Sequence, residues 1–148
     1  YSGTMAAAIE GCLYGIDSVG FSLNDFSRNA DFSVCRKYIR LVMQKLSSHS
    51  LPKGICLNVN IPSVPENEIK GIMICRQAKG NWKEEFEKRK DPMGKTYYWL
   101  TGMFQNQEPD AVDTDEWALA NGYVSVVPVS VDMTAHWYIS SLKEQFSE

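Results

Sequence analysis

The sequence predicts an α/β fold, and three features carry that prediction. A helix rich in small residues opens the chain, a long amphipathic helix follows it, and short β-branched runs alternate with both. The resulting order of helix, strand, helix, strand, strand is that of the trailing half of an α/β sheet.

Thr4 to Tyr14 reads as the first helix, capped by Ser2 or Thr4, with Met5, Ile9, Cys12 and Leu13 at helical spacing and Gly15 as its stop. Its Ala6-Ala7-Ala8 run has little bulk, which suits a helix lying close to a sheet. Val19 to Leu23 has strand length. Asp31 is expected to cap the second helix, which runs to about Ser48 on a stripe of Cys35, Ile39, Val42 and Leu46, widened by Val34, Tyr38 and Leu41. Arg36, Lys37, Arg40 and Lys45 form its solvated side, and His49 at its end reads as a solvated partner of the helix dipole.

Ile55 to Ile61 alternates as a strand should: Ile55, Leu57, Val59 and Ile61 face one way and Cys56, Asn58 and Asn60 the other. Ile69 to Arg76 is a further strand. Trp82 to Leu100 is too charged for a buried strand. Asp91-Pro92-Met93-Gly94 has the composition of a type I turn, and Thr96 to Leu100 has strong β preference, so the segment reads as a projecting hairpin. An exposed aromatic strand of this kind favours self-association. Phe104 to Asp113 reads as loop, Asp113 or Thr114 caps a short helix to Ala120, and Tyr123 to Val129 is a strand whose Pro128 belongs at an edge or bulge. Asp132 is expected to cap a last helix bearing Ala135, Ile139, Leu142 and Phe146.

Composition bounds the function. The chain has 148 residues, a net charge of -3 and 44% hydrophobic residues, the size and balance of one globular domain. No long basic run marks a nucleic-acid partner, and no apolar stretch reaches the ~20 residues that span a bilayer. Cys12, Cys35, Cys56 and Cys75 are widely spaced within apolar patterns, form no C-x-x-C pair, and read as buried free thiols of a reducing, cytoplasmic compartment.

The residues offer three places for chemistry. Ser2-Gly3-Thr4 opens a helix, where unpaired backbone N–H groups and the helix dipole suit a phosphate oxygen; an ordinary N-cap with a turn glycine gives the same pattern. Ser2, Asp132 and His136 are the residue types of a hydrolytic triad, but no G-x-S-x-G elbow is present, and an Asp and a His one helical turn apart make a common structural pair. Asp110, Asp113, Asp115 and Glu116 could hold a metal or enrich a helix start, and they lack the ladder of a calcium loop.

Taken in order, several blocks resemble the stationary-phase survival protein SurE family of metal-dependent 5'/3'-nucleotidases. They are Tyr1-Ser2-Gly3-Thr4 with Ala6-Ala7-Ala8 and Glu10-Gly11, Leu57 to Pro62, Asp91-Pro92-Met93-Gly94 with Tyr97-Tyr98-Trp99, Thr114-Asp115, Gly122 to Val126 with Pro128, and Asp132-Met133-Thr134. The resemblance implies a Rossmann-like SurE fold with a projecting β-hairpin and a C-terminal helix. It divides the chain into residues 1–78 (C-terminal part of the catalytic domain), 79–102 (an oligomerisation arm) and 103–148 (the final strand and an exchanged helix). It implies hydrolysis of nucleoside monophosphates, and of short polyphosphate, with a divalent Mg or Mn ion, in a homodimer or homotetramer. Ser2, Gly3 and Thr4 would face the phosphate. Asp132 and His136 would form a hinge of assembly, and Asp91, Gly94, Tyr97, Tyr98 and Trp99 would belong to the arm. The family's metal ligands match no position of this chain and are expected upstream of Tyr1. Val127 stands where the family often has Thr, and the arm from Trp82 to Lys90 is unusually charged.

Overall fold

The computed structural model describes residues 2–147, apart from the side chains of Glu84 and Glu85. Helix α1 (Gly3–Leu13) leads to strand β1 (Val19–Asn24), and helix α2 (Cys35–Ser48) to strand β2 (Ile55–Pro62). Strand β3 (Gly71–Ile74) precedes the hairpin strands β4 (Gly80–Lys90) and β5 (Thr96–Asn106). Helix α3 (Asp115–Ala120), strand β6 (Tyr123–Ser130) and helix α4 (Ile139–Gln145) complete the order.

Four strands form one sheet in the order β1-β2-β6-β3, with β1 parallel to β2, β6 antiparallel to β2, and β3 parallel to β6. Because side chains alternate across a strand, the pattern of packing assigns each helix a face. Tyr38 and Val42 of α2 pack with Val59, Ile61, Val124 and Val126 on one face. On the other, Ala8 and Cys12 of α1 pack with Cys56, and Ala118 of α3 packs with Cys75 and Val127. The result is a helix–sheet–helix sandwich whose centre is β2 and β6, where Cys56, Val59, Ile61 and Val124 are wholly buried. All four cysteines are free and buried, as the sequence suggests.

Several boundaries move, each for a local reason. Asp31 does not cap α2. Its carboxylate accepts the backbone N–H of Ser33 at 2.8 Å and the hydroxyl of Ser33 at 2.9 Å, closing a turn before the helix begins at Cys35. Leu41 falls off the buried stripe and is 39% exposed, whereas Tyr38 is 3% exposed. Strand β3 is only four residues long, because Arg76 leaves it to bridge to Thr114. The hairpin is longer than its aromatic core, taking in Phe104 to Asn106, which read as loop. Pro128 lies in an inner strand, but its missing N–H causes no loss. Val126 bonds toward β3 at Cys75, so Pro128, of the same parity, faces past the end of β3 at Ile74. The last helix is short, starting at Ile139 after a single turn at His136–Tyr138, and Asp132 lies outside it.

Ile61→Ala should lower unfolding free energy by about 2–5 kcal/mol, as for other fully buried aliphatic truncations, while Leu41→Ala should stay within about 0.5 kcal/mol. Urea denaturation of both variants checks this; equal losses would contradict the assignment of the α2 face.

Candidate functional site

The first turn of α1 is fixed from both sides. Ser2 is its N-cap: its Oγ accepts the N–H of Met5 at 3.3 Å, and its carbonyl accepts the N–H of Ala6 at 2.9 Å. The N–H groups of Gly3 and Thr4 are those that helix geometry leaves over. Ser2, Gly3 and Thr4 are exposed, and a Cβ on Gly3 would meet nothing within 4 Å. Tyr1 of the same block lies outside the described residues. Underneath, Gly20 of β1 lets the helix approach, since a Cβ there would stand 2.6 Å from the sulfur of Met5 and 3.3 Å from Thr4 Cγ2.

That contact sets the helix start toward the carboxyl ends of the parallel pair β1 and β2, where open α/β sheets bind ligands. The face beneath it is polar there. Gly20 pairs with Asn58, and two residues on Ser22 pairs with Asn60, which pairs in turn with Ser125 of β6. Asn60 Nδ2 donates to Asn58 Oδ1 at 3.3 Å. Ser125 is wholly buried, and its Oγ has no hydrogen-bond partner among the described residues. The alternation of β2 showed both asparagines on this side; the contribution of Ser22 and Ser125 appears only with the register.

The other candidates separate. Asp132 Oδ2 lies 2.7 Å from His136 Nε2 and Oδ1 accepts the N–H of Thr134 at 2.9 Å, so hydrogen bonds from Thr134 and His136 hold this carboxyl well below the usual carboxylate range. This pair follows Ser130, which pairs with Ile55 at the amino end of β2, whereas Thr4 and Met5 rest on Gly20, which pairs with Asn58, and Ser2 lies beyond that turn of the helix. Three strand residues, on the order of 10 Å, lie between Ile55 and Asn58. Ser2, Asp132 and His136 therefore form no triad.

The acidic cluster is also dispersed. Asp113 takes the guanidinium of Arg76 at 2.8 and 3.0 Å, and Glu108 binds the same guanidinium while accepting the N–H of Lys79 at 2.7 Å. Asp115 turns inward and accepts the N–H of Ala78 at 2.8 Å. Together these bonds root the hairpin against α3. Burial, followed by the charge of Asp115, pushes the Glu116 carboxyl up. Among the described residues no group of three or more His, Cys, Asp or Glu is placed to hold a metal ion. Nothing in the sequence distinguishes Arg76 from a surface arginine.

In the hairpin, Asp91 Oδ1 accepts the N–H groups of Met93 and Lys95 at 2.9 and 2.8 Å, and Gly94 adopts φ +79, which closes the turn. The cross-strand register places Trp82, Phe86, Tyr98, Leu100 and Phe104 on one face of this ribbon. Tyr97 and Trp99 lie on the other, with Arg89 over the Trp99 ring at 5.1 Å.

The family model described as Survival protein SurE matches residues 1–84. A protein named 5'-nucleotidase SurE from Christiangramia forsetii is 55% identical over 142 residues, 96% of this chain and 54% of that protein. Its counterpart from Chlorobium phaeobacteroides is 41% identical over 144 residues, 97% of this chain and 55% of that protein. The crystal structure of the SurE protein from Aquifex aeolicus superposes with a TM-score of 0.78 at 37% identity, covering 99% of this chain and 58% of that one. The chain thus spans about half the length of the curated relatives it matches.

The hydrogen bonds from Arg76 lower the carboxyl pKa values of Glu108 and Asp113, so their stabilisation is present above the ordinary carboxylate range and is lost as pH falls through it. The raised pKa of Arg76 is lost only at extreme alkaline pH. Arg76→Gln should therefore flatten the fall in melting temperature below about pH 4; an unchanged acid limb would show that the clamp contributes nothing.

Proposed function

The chain belongs to the Survival protein SurE family, and from that premise we propose that it supplies the phosphate-facing wall of a nucleotidase acting on nucleoside 5'- and 3'-monophosphates and on short polyphosphate. The observation that carries this reading is the exposed start of α1, where Ser2, Gly3 and Thr4 form the helix end that is directed toward the carboxyl ends of β1 and β2. Two free N–H groups, the helix dipole and the Ser2 hydroxyl, whose proton remains available to donate, suit phosphoryl oxygens. Donors fixed where charge develops stabilise a transition state more than a ground state.

A divalent Mg or Mn ion is part of the proposal, since the resemblance implies one. The described residues do not form its ligand set. Its ligands would come from sequence that this chain does not span. Four buried free thiols, and the absence of any helix among the described residues long and apolar enough to cross a membrane, support a cytoplasmic site of action.

We further propose that the hairpin and the tail assemble copies of the protein into a homodimer or homotetramer. Among the described residues the ribbon pairs only with itself, and its face of Trp82, Phe86, Tyr98, Leu100 and Phe104 is exposed. Helix α4 has no buried residue, and the Asp132–His136 pair before it would serve as its hinge.

In the full-length protein, Gly3→Val should lower kcat/KM for nucleoside monophosphates roughly 100-fold with little change in melting temperature, because the added side chain meets no protein atom. A chelator should abolish turnover. Metal-independent turnover, or none with any phosphomonoester, would contradict the reading. For assembly, Phe86→Glu with Leu100→Lys should lower the mass seen by light scattering; an unchanged mass would remove the arm from the interface.

A further inference from the structure

We propose that Ser22, Asn60 and Ser125 form a ribose subsite next to the phosphate wall, an inference that rests on the nucleotide reading above. Three observations combine. First, polar side chains gather at this end of the face: Ser22, Asn60 and Ser125 form one row, Asn58 stands between Gly20 and Val127 one register step away, and only farther along do Cys56, Val129 and Val131 pack as an apolar stretch beneath α1. Second, Ser125 Oγ is fully buried on this face and lacks a partner among the described residues, and an orphaned hydroxyl of this kind is costly unless something completes it. Third, Asn60 is half-buried beside it, and its side-chain amide is engaged only by a 3.3 Å bond to Asn58.

The chemistry selects the ligand. Neutral amides and hydroxyls that both donate and accept match vicinal hydroxyls, which do the same, whereas a phosphate prefers the N–H groups and dipole of the helix start. The spacing agrees. Gly20 lies beneath Thr4 and Met5, and Ser22 and Asn60 lie one register step of two residues beyond, roughly 7 Å along the strand. Gly3 lies on the Ser22 side of that contact, so a sugar esterified to a phosphate held there would lie over this row. Asn60 would contact the ribose directly. Ser125, too deep for that, would act as a positioning residue by accepting the Asn60 amide and turning its oxygen toward the ligand.

The test is a set of titrations of the full-length 15N-labelled protein, followed by NMR of backbone and side-chain amides. The probes are inorganic phosphate, adenosine, adenosine 5'-monophosphate and its 2',3'-dideoxy analogue. Phosphate should move the Gly3 and Thr4 N–H signals alone, and adenosine should move the Asn60 side-chain amide. Adenosine monophosphate should bind about tenfold more tightly than the dideoxy analogue, and Asn60→Ala should abolish that preference. Equal affinity of the two nucleotides in the unaltered protein, or a preference that survives in Asn60→Ala, overturns the subsite. The unaltered protein alone decides the matter if the variant does not fold. A response at Gly3 to phosphate without one at Asn60 to adenosine leaves the phosphate wall and removes the ribose subsite. The reverse pattern removes the wall and keeps the subsite, and silence at both removes both.

Discussion

Thr4 and Met5 rest directly on the backbone of Gly20, and the geometry of the candidate site follows from that close approach. Without a side chain at Gly20 the first turn of α1 can seat on β1, and its Ala6-Ala7-Ala8 run keeps the rest of the helix near the sheet. The helix is thereby held antiparallel to β1, with Gly11 near Ser18 at one end and Ser2 beyond Thr4 at the other. Its dipole is aimed over the carboxyl ends of β1 and β2. A polar row then lies where the helix stops covering the sheet.

The same sheet explains why the start of α1 and the Asp132–His136 pair stay apart. Strands β2 and β6 run antiparallel, so Asn60 and Ser125 meet at one end while Ile55 and Ser130 meet at the other. Whatever follows Ser130, including the Asp132–His136 pair, leaves the sheet on the side away from α1's start. The start of α1 and a tail that leaves the body can therefore change independently. The Arg76 clamp divides the molecule in the same way: it ties Glu108 and Asp113 to the root of the hairpin, far from Ser2, and gives the ribbon a fixed origin.

Much of this was legible in the residues. The α/β class, the buried thiols, the alternation of β2, the Asp91–Gly94 turn and the cap at Ser2 all rest on local rules that tertiary contacts did not override. What could not be read depends on neighbours distant in sequence. Leu41 has the spacing of a core residue but falls just outside the arc that β1, β2 and β6 cover. Asp31 meets the statistics of a cap, yet Ser33 captures its carboxylate first. Pro128 signals an edge, and it lies at one only because β3 is four residues long. Arg76 and the Ser22–Asn60–Ser125 row are invisible until register is known, since each is assembled from segments dozens of residues apart.

A crystal structure of the full-length protein with orthovanadate, a mimic of the phosphoryl transition state, tests whether the start of α1 holds the phosphoryl group. The vanadium should lie within about 4 Å of the Gly3 and Thr4 nitrogens, close enough for its oxygens to accept both N–H groups. A vanadate bound elsewhere, with the start of α1 unengaged, would contradict it.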